Sequence, residues 1–297
     1  MTAAVVPSVE RSGPVSPTVL IRGAGEMASA VAWRLYRANI RLICMTELDA
    51  PLCVRRAVSF CPALERGIAR VEDVEARSAG TLAEVQQAWR EGRIAVVPRS
   101  RWDGIADLAP DVVVDGILAK RNVATSITDA PLVIALGPGF EAGHDCHLVI
   151  ETNRGHHLGR LITQGSAEPN TGIPGDIAGH TQARVLRAGA AGVFQTERRI
   201  GDRVTEGETV GSVAGVPVIA VIAGILRGVL PSGTEVSNGL KLGDIDPRAR
   251  PDHCHTVSDK ARAIAGAVLE GVMRYYNRPA DANWPRPISA ICRSILL

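Results

Sequence analysis

The sequence predicts an α/β chain: a Rossmann-like, mainly parallel sheet, then a small duplicated β domain of barrel-sandwich type, then a C-terminal helix. Three observations predict it. Short apolar runs alternate with helical or irregular crossovers through the first half of the chain. A glycine-rich turn, Gly23-Ala-Gly-Glu-Met-Ala28, follows the first of those runs. A stretch beyond residue 188 repeats itself at an offset of 32 residues.

Residues 1–17 carry Pro7, Pro14 and Pro17 among small side chains and read as a flexible lead-in. Thr18–Ile21 is a short apolar strand that enters the glycine turn. A helix follows with Val31, Leu35 and Ala38 on one face, then a second strand, Arg41–Met45, ending at Thr46-Glu47. Thr81-Leu-Ala-Glu84 is a capping box that starts another helix, with Leu82, Val85, Ala88 and Trp89 as its buried stripe and Gly92 as its stop. Further strands fall at Ile94–Val97, Val112–Asp115, Leu132–Leu136 and Leu148–Glu151. Apolar residues make up 46% of the chain but aromatics only 3%, so the core must be Val, Ile, Leu and Ala, which suits a covered parallel sheet. This first domain spans residues 18–154. Residues 155–187 form an irregular connecting segment rich in Gly, Thr, Asn and Pro; a long irregular stretch inside a compact protein is read as functional.

In the repeat, Gly192, Gly201, Val204, Gly207, Gly211 and Val213 fall on Gly224, Gly233, Val236, Gly239, Gly243 and Ile245. Two copies are too few for a solenoid, so they are expected to interlock as a small β domain over 188–250. Biotinyl and lipoyl carriers share such half-motifs, but the stretch between the copies, 213–220, has no Lys to modify. Ser258 caps a last helix within 251–277, and 278–297 is a tail without period.

The net charge of +2 gives no argument for nucleic acid or an anionic membrane. The longest apolar stretch, Val216–Leu226, is too short for a spanning helix. Cysteines at 44, 53, 61, 146, 254 and 292 form no C-x-x-C pair, which points to thiols in a reducing cytoplasm.

The turn predicts a nucleotide or dinucleotide ligand such as NAD(P). Gly23 permits the tight turn, Gly25 admits a pyrophosphate, the neighbouring Glu26 opens the helix, and Ala28 lets helix and strand pack closely. Glu47 stands where an acid would hold a ribose hydroxyl. Arg55 and Arg56 are candidates for a phosphate, or solvated surface charge. Lys120, beside Arg121, and the glycines Gly137 and Gly139 lie beyond strand ends, where open parallel sheets bind ligands. His144, Cys146 and His147 are weak metal candidates, because their spacing alone does not make them converge. Cys146 and Cys254, each flanked by histidines, are candidate catalytic thiols meeting in one cleft; the alternative is two separate, buried and inert cysteines.

Several strings resemble the accessory proteins of the selenium-dependent molybdenum hydroxylase system, the YqeB type. They are Ile21-Arg-Gly-Ala-Gly-Glu-Met-Ala28, Thr46-Glu47 with Val54-Arg-Arg-Ala-Val-Ser-Phe60, Gly137-Pro-Gly-Phe140, Ile150-Glu-Thr-Asn-Arg-Gly-His156, Asn170-Thr-Gly-Ile-Pro-Gly175, Gly239-Leu-Lys-Leu-Gly-Asp-Ile-Asp-Pro-Arg248 and Ser258-Asp-Lys-Ala-Arg262. The family often has Asp where Glu26 stands, which keeps the charge. The resemblance implies a maturation factor for a molybdenum hydroxylase of the xanthine dehydrogenase kind, with the hydroxylase subunits as partners. It also implies a pyranopterin dinucleotide as ligand and a molybdenum or selenium link, and it brings no catalytic residue with it. Two alternatives stand beside it: an NAD(P)-dependent oxidoreductase, for which no Tyr-x-x-x-Lys pair is present, and a non-catalytic scaffold that docks a partner hydroxylase. Whether the chain forms a homo-oligomer is left open.

Overall fold

The structure is a computed structural model that describes residues 16–278; the flexible lead-in and the tail expected at the two ends otherwise lie outside the described residues. Eleven strands belong to the first part of the chain. They are β1 (Thr18–Arg22), β2 (Leu42–Glu47), β3 (Ile68–Val71), β4 (Val74–Ser78), β5 (Ile94–Pro98), β6 (Val112–Asp115), β7 (Leu132–Leu136), β8 (Glu141–Ala142), β9 (Leu148–Ile150), β10 (Leu161–Ile162) and β11 (Gly165–Ser166). Nine of them form one sheet in the order β10-β9-β7-β6-β1-β2-β5-β4-β3, while β8 and β11 pair separately.

This sheet corrects the expected Rossmann-like fold, although six of its eight strand pairs are parallel. It is mixed, with antiparallel pairs at both edges, β3 on β4 and β10 on β9. Few helices cover it. Helix α1 (Glu26–Arg37), the single turn α2 (Ala63–Arg66) and α3 (Leu82–Arg90) are the α-helices of this part, and no α-helix crosses from β5 to β6, β6 to β7 or β7 to β9. Those crossovers carry too few apolar residues at helical spacing to bury a helical face, so irregular backbone links the strands instead. The interior is aliphatic, as the composition requires: Ile21, Ile43, Ile134 and Leu136 on one face and Val97, Val113 and Val133 on the other are fully or almost fully buried.

The β unit holds β12 (Val185–Arg187), β13 (Gly192–Gln195), β14 (Arg203–Val204), β15 (Thr209–Val213), β16 (Val216–Ile219), β17 (Gly224–Val229), β18 (Thr234–Val236) and β19 (Lys241–Asp246). It is two antiparallel four-stranded half-barrel sheets, β12-β19-β17-β14 and β16-β15-β13-β18. At an offset of 32, β13 and β17 start on matching residues and β15 and β19 do the same. The halves exchange strands: β14 pairs with β17, and β18 pairs with β13. Each half therefore completes the other's sheet, around Phe194, Val213, Leu226 and Ile245.

The chain then returns to the sheet. After the single turn α4 (Asp252–His255), helix α5 (Asp259–Tyr276) packs on α1, burying Ile264, Val268 and Val272 in the core shared with β7 and β9. Ser258 caps α5, its hydroxyl accepting from Ala261 N at 3.3 Å.

Candidate functional site

The ends of β1, β2, β6 and β9, the segment 168–177, one face of the β unit and the start of α5 enclose a cleft of about 780 Å³. Its floor is built by close backbone approaches. Gly23 sits at φ 94°, a conformation that favours glycine, and donates to Thr46 O at 2.7 Å. A Cβ on Gly116 would lie 2.8 Å from the Ala28 Cβ, so Ala28 and Gly116 together let α1 approach the end of β6. Gly139, at φ 103°, leaves room for the backbone of Lys120 and Arg121, which a Cβ would approach to 2.7 Å and 2.5 Å.

The loop after β6 bears Lys120 and is strained. Leu118, Lys120 and Ala124 all have φ between 60° and 63° without being glycine. Such strain persists only where the surroundings hold it. Here Asp115, 1% exposed, accepts from Ile117 N at 3.1 Å and Thr125 Oγ1 at 2.6 Å, and Arg22 donates to Ala124 O at 2.8 Å. On the opposite wall, buried Glu151 accepts from Asn153 N and Glu168 N at 2.6 and 2.7 Å, and so joins two lining segments.

Seven cationic side chains face four carboxylates in the lining. Several of the cations are already paired. Arg154 binds Asp259 at 2.7 Å, Arg184 pairs with Asp244, and Lys241 lies 3.7 Å from Asp244. Lys120 and Lys260 have no ion-pair or hydrogen-bond partner among the described residues. Burial lowers the pKa of both ammonium groups, and the nearby Lys120 charge lowers Lys260 further. Arg227, 7% exposed, reaches Asp246 only at 4.0 Å, and its Nε is buried without a hydrogen-bond partner. The N-termini of α1 and α5 both open here, through Gly25 and Glu26 and through Ser258 and Lys260, and add positive potential.

Two acids bear on the dinucleotide expectation. Glu47 does not stand free for a ribose: its carboxylate accepts from Ala24 N and Leu48 N, both at 2.8 Å. Glu26 occupies the first turn of α1, where a pyrophosphate would sit, and its carboxyl accepts from Ser258 Oγ at 3.1 Å. Burial raises the pKa of Glu26, against the opposing effect of Arg227. A carboxylate at that spot repels a phosphate rather than receiving it. Above Gly25 the cleft is open, with nothing within 4 Å of a Cβ placed there.

Of the residues singled out in the sequence, Gly23, Gly25, Glu26, Glu47 and Lys120 line the cleft. Ala28 lies beneath it, and Gly137 and Gly139 shape it from behind, Gly137 against Thr152. Arg55 and Arg56 point elsewhere: Arg55 donates to His253 O at 3.2 Å and Arg56 to Val229 O, tying their segment to α4 and to the β unit. Cys146 and Cys254 are fully buried and neither lines the cleft. Burial pushes the Cys146 thiol up to about 12, and Cys254 is raised for the same reason. His147 is buried beside Cys146, while His144 is exposed and pairs with Asp145. Among the described residues, no group of three or more His, Cys, Asp and Glu side chains is placed to hold a metal ion. Sequence reasoning passed over Lys260, Arg227, Arg154 and Cys53, which do line the cleft. Lys260 and Arg154 sit inside quoted strings, but an isolated cation carries no signal of whether it will find a partner.

No family model matches the chain. A curated protein of Escherichia coli (strain K12), "Uncharacterized protein YqeB", is 48% identical over 265 residues. The chain is similar to YqeB. The match covers 89% of this chain and 49% of YqeB, so the chain spans about half the length of that relative. YqeB's name carries no molybdenum or selenium. Solved structures give only slight likenesses. An aspartoacylase family protein from Mesorhizobium loti has a TM-score of 0.25 and 14% identity, covering 78% of this chain and 85% of its own. A succinylglutamate desuccinylase/aspartoacylase from Rhodobacter sphaeroides has 0.24 and 15%, over 77% and 85%. The product-bound ectoine utilization protein EutE (DoeB) from Ruegeria pomeroyi has 0.21 and 13%, over 76% and 56%. Neither YqeB's name nor these slight likenesses support a molybdenum hydroxylase maturation factor, a nicotinamide-dependent oxidoreductase or a docking scaffold for a hydroxylase. Those functional expectations are withdrawn, together with the molybdenum, selenium and Rossmann nucleotide-binding assignments. The TM-scores are too low to give this chain a hydrolase activity in their place.

Proposed function

We propose that the cleft binds a small anionic molecule whose phosphate or carboxylate groups sit between Lys120 and Lys260. The observation that carries this reading is the pair of unpartnered ammonium groups, close enough that the Lys120 charge depresses Lys260, in a cleft with an excess of cations. Glu26 and Glu151 offset part of the repulsion at Lys260, neither lysine has an ion-pair partner among the described residues, and an anion between the two ammonium groups relieves the rest. Arg227 and the α5 N-terminus supply further donors, and Glu26 sets the side of the ligand that must be uncharged or hydrogen-bond donating. Among the described residues no helix is long and apolar enough to cross a membrane. A cytoplasmic setting, with a free small-molecule ligand, is part of the proposal and is supported by the five cysteines among the described residues, all of them free.

Isothermal titration with inorganic phosphate, pyrophosphate and citrate tests it, with glycerol as the uncharged control. The reading requires saturable binding of at least one anion, weakened as salt is raised. The phosphate and citrate arms separate a phosphorylated ligand from a polycarboxylate. Heat from glycerol equal to that from the anions, or no saturable anion binding, overturns it.

A further inference from the structure

The cleft that carries the lysines also carries aliphatic side chains that the fold leaves in water. Leu48 and Leu52 are the only exposed leucines among the described residues, at 47% and 52%, and both line it. Ile117 and Ile173, at 44% and 58%, line it as well. They come from three loops: Leu48 and Leu52 follow β2, Ile117 follows β6, and Ile173 belongs to segment 168–177. Met27 and Leu118 also line the cleft and pack against the core, which joins this apolar lining to the interior.

Local hydrogen bonds fix the backbone beneath three of the four. Leu48 N donates to the Glu47 carboxylate at 2.8 Å, Ile117 N to Asp115 Oδ1 at 3.1 Å, and Ile173 N to Thr171 Oγ1 at 3.2 Å. The ring of Pro51 restricts the chain ahead of Leu52. A polar side chain thus anchors the backbone while the aliphatic side chain stays free. Single exposed apolar residues scattered over a surface need no explanation, but four lining one concavity do.

The size and charge of the cleft define what would cover them. A volume of about 780 Å³ suits a whole organic molecule, and a bare phosphate between the lysines would leave most of it empty. Apolar walls with a few placed polar groups are the make-up of a small-molecule site. A wholly polar ligand would leave those walls in water and gain nothing from them. Glu26, whose carboxyl accepts from Ser258 Oγ at 3.1 Å, disfavours a second anionic group on its side of the cleft.

We propose that the ligand is an organic anion with one charged end and an apolar body: the phosphate or carboxylate lies between Lys120 and Lys260, and an alkyl or aryl portion covers Leu48, Leu52, Ile117 and Ile173. This inference rests on the anion-binding reading of the same cleft and adds the chemistry of the rest of the ligand. Burying that body supplies affinity in proportion to the apolar area it covers, while the lysines fix its orientation.

Titration calorimetry of the full chain with methyl, hexyl and phenyl phosphate at one ionic strength tests it, with 1-hexanol as the body without a charged end. Hexyl or phenyl phosphate should bind about tenfold or more tightly than methyl phosphate, and hexanol should bind far more weakly than hexyl phosphate. In Leu52→Ser/Ile173→Ser, which alters two exposed side chains, the advantage of the longer ligand should shrink to about threefold or less. The wild-type comparison stands even if that variant fails to fold. Methyl phosphate binding as tightly as hexyl and phenyl phosphate overturns this inference and leaves the anion reading intact; no binding by any of the phosphates overturns both. An undiminished advantage in the variant, or hexanol matching hexyl phosphate, also overturns it. So does a dimer in sedimentation that the variant abolishes, because the apolar side chains would then belong to an interface with a second copy of this chain.

Discussion

Gly139 has no side chain because the backbone of Arg121 leaves no room for one. Gly139→Ala must either strain a backbone at φ 103° or push back the loop that presents Lys120. The expected result in denaturant titrations is a loss of about 1–3 kcal/mol, accompanied by weaker anion binding. His147 sets a pH dependence. Its Nδ1 accepts from Val133 N at 2.9 Å, which requires the neutral ring, and burial lowers its pKa to about 4. Below pH ~6.5 the unfolded chain takes up a proton that the folded chain refuses, so stability falls as pH falls from ~6.5 towards 4. The loss across that window is on the order of 3 kcal/mol, and His147→Asn should flatten that limb of a stability–pH curve. The residue that the sequence read best is Gly23, because a positive φ at a strand–helix turn is written in the residue type itself. The residue it read worst is Glu47. Its position at the end of β2 was plain, but that it accepts from Ala24 N is a tertiary fact with no local signature.

At the scale of elements, α3 was legible because a capping box is local: Glu84 N donates to Thr81 Oγ1 at 3.3 Å, and the Glu84 carboxylate reaches back to Gly80 N at 2.6 Å. The hairpin of β3 and β4 was not. Its turn runs through Glu72, at φ 50°, and Asp73, with none of the Asn-Gly or Asp-Gly signal that announces a two-residue turn. The loop after β6 was equally opaque, since what stabilises it is Asp115, Arg22 and Thr125 acting across the sheet edge. Helix α5 carries Lys260 into the cleft, and its cap is shared. The Ser258 hydroxyl accepts from Ala261 N and donates to Glu26. Ser258→Ala should cost about 1 kcal/mol in thermal or chemical melts and free the Glu26 carboxylate. Asp in place of Ser258 should recover the cap and not the Glu26 bond, because two carboxylates would meet.

For the molecule as a whole, the β unit is a wall of the site rather than an appendage. Arg184, 8% exposed, crosses from the start of β12 to pair with buried Asp244 on β19, and also donates to Gly175 O at 3.1 Å. Arg184→Ala leaves buried Asp244 with Lys241 as its ion-pair partner and detaches segment 168–177, so the expected loss is on the order of 3 kcal/mol in denaturant. The duplication that builds this wall showed in the sequence as spaced glycines, whereas the exchange of strands between its halves did not, since register across a sheet is set by packing rather than by local residue type. The central claim is that Lys120 and Lys260 hold an anion together. It is tested most directly by titrating the best-binding anion into wild type and into a Lys120→Met/Lys260→Met variant that melts like wild type. The account predicts that the double variant loses affinity by tenfold or more, about 1.4 kcal/mol, and that the residual binding is less sensitive to salt. Equal affinity and equal salt dependence in the two proteins would contradict it.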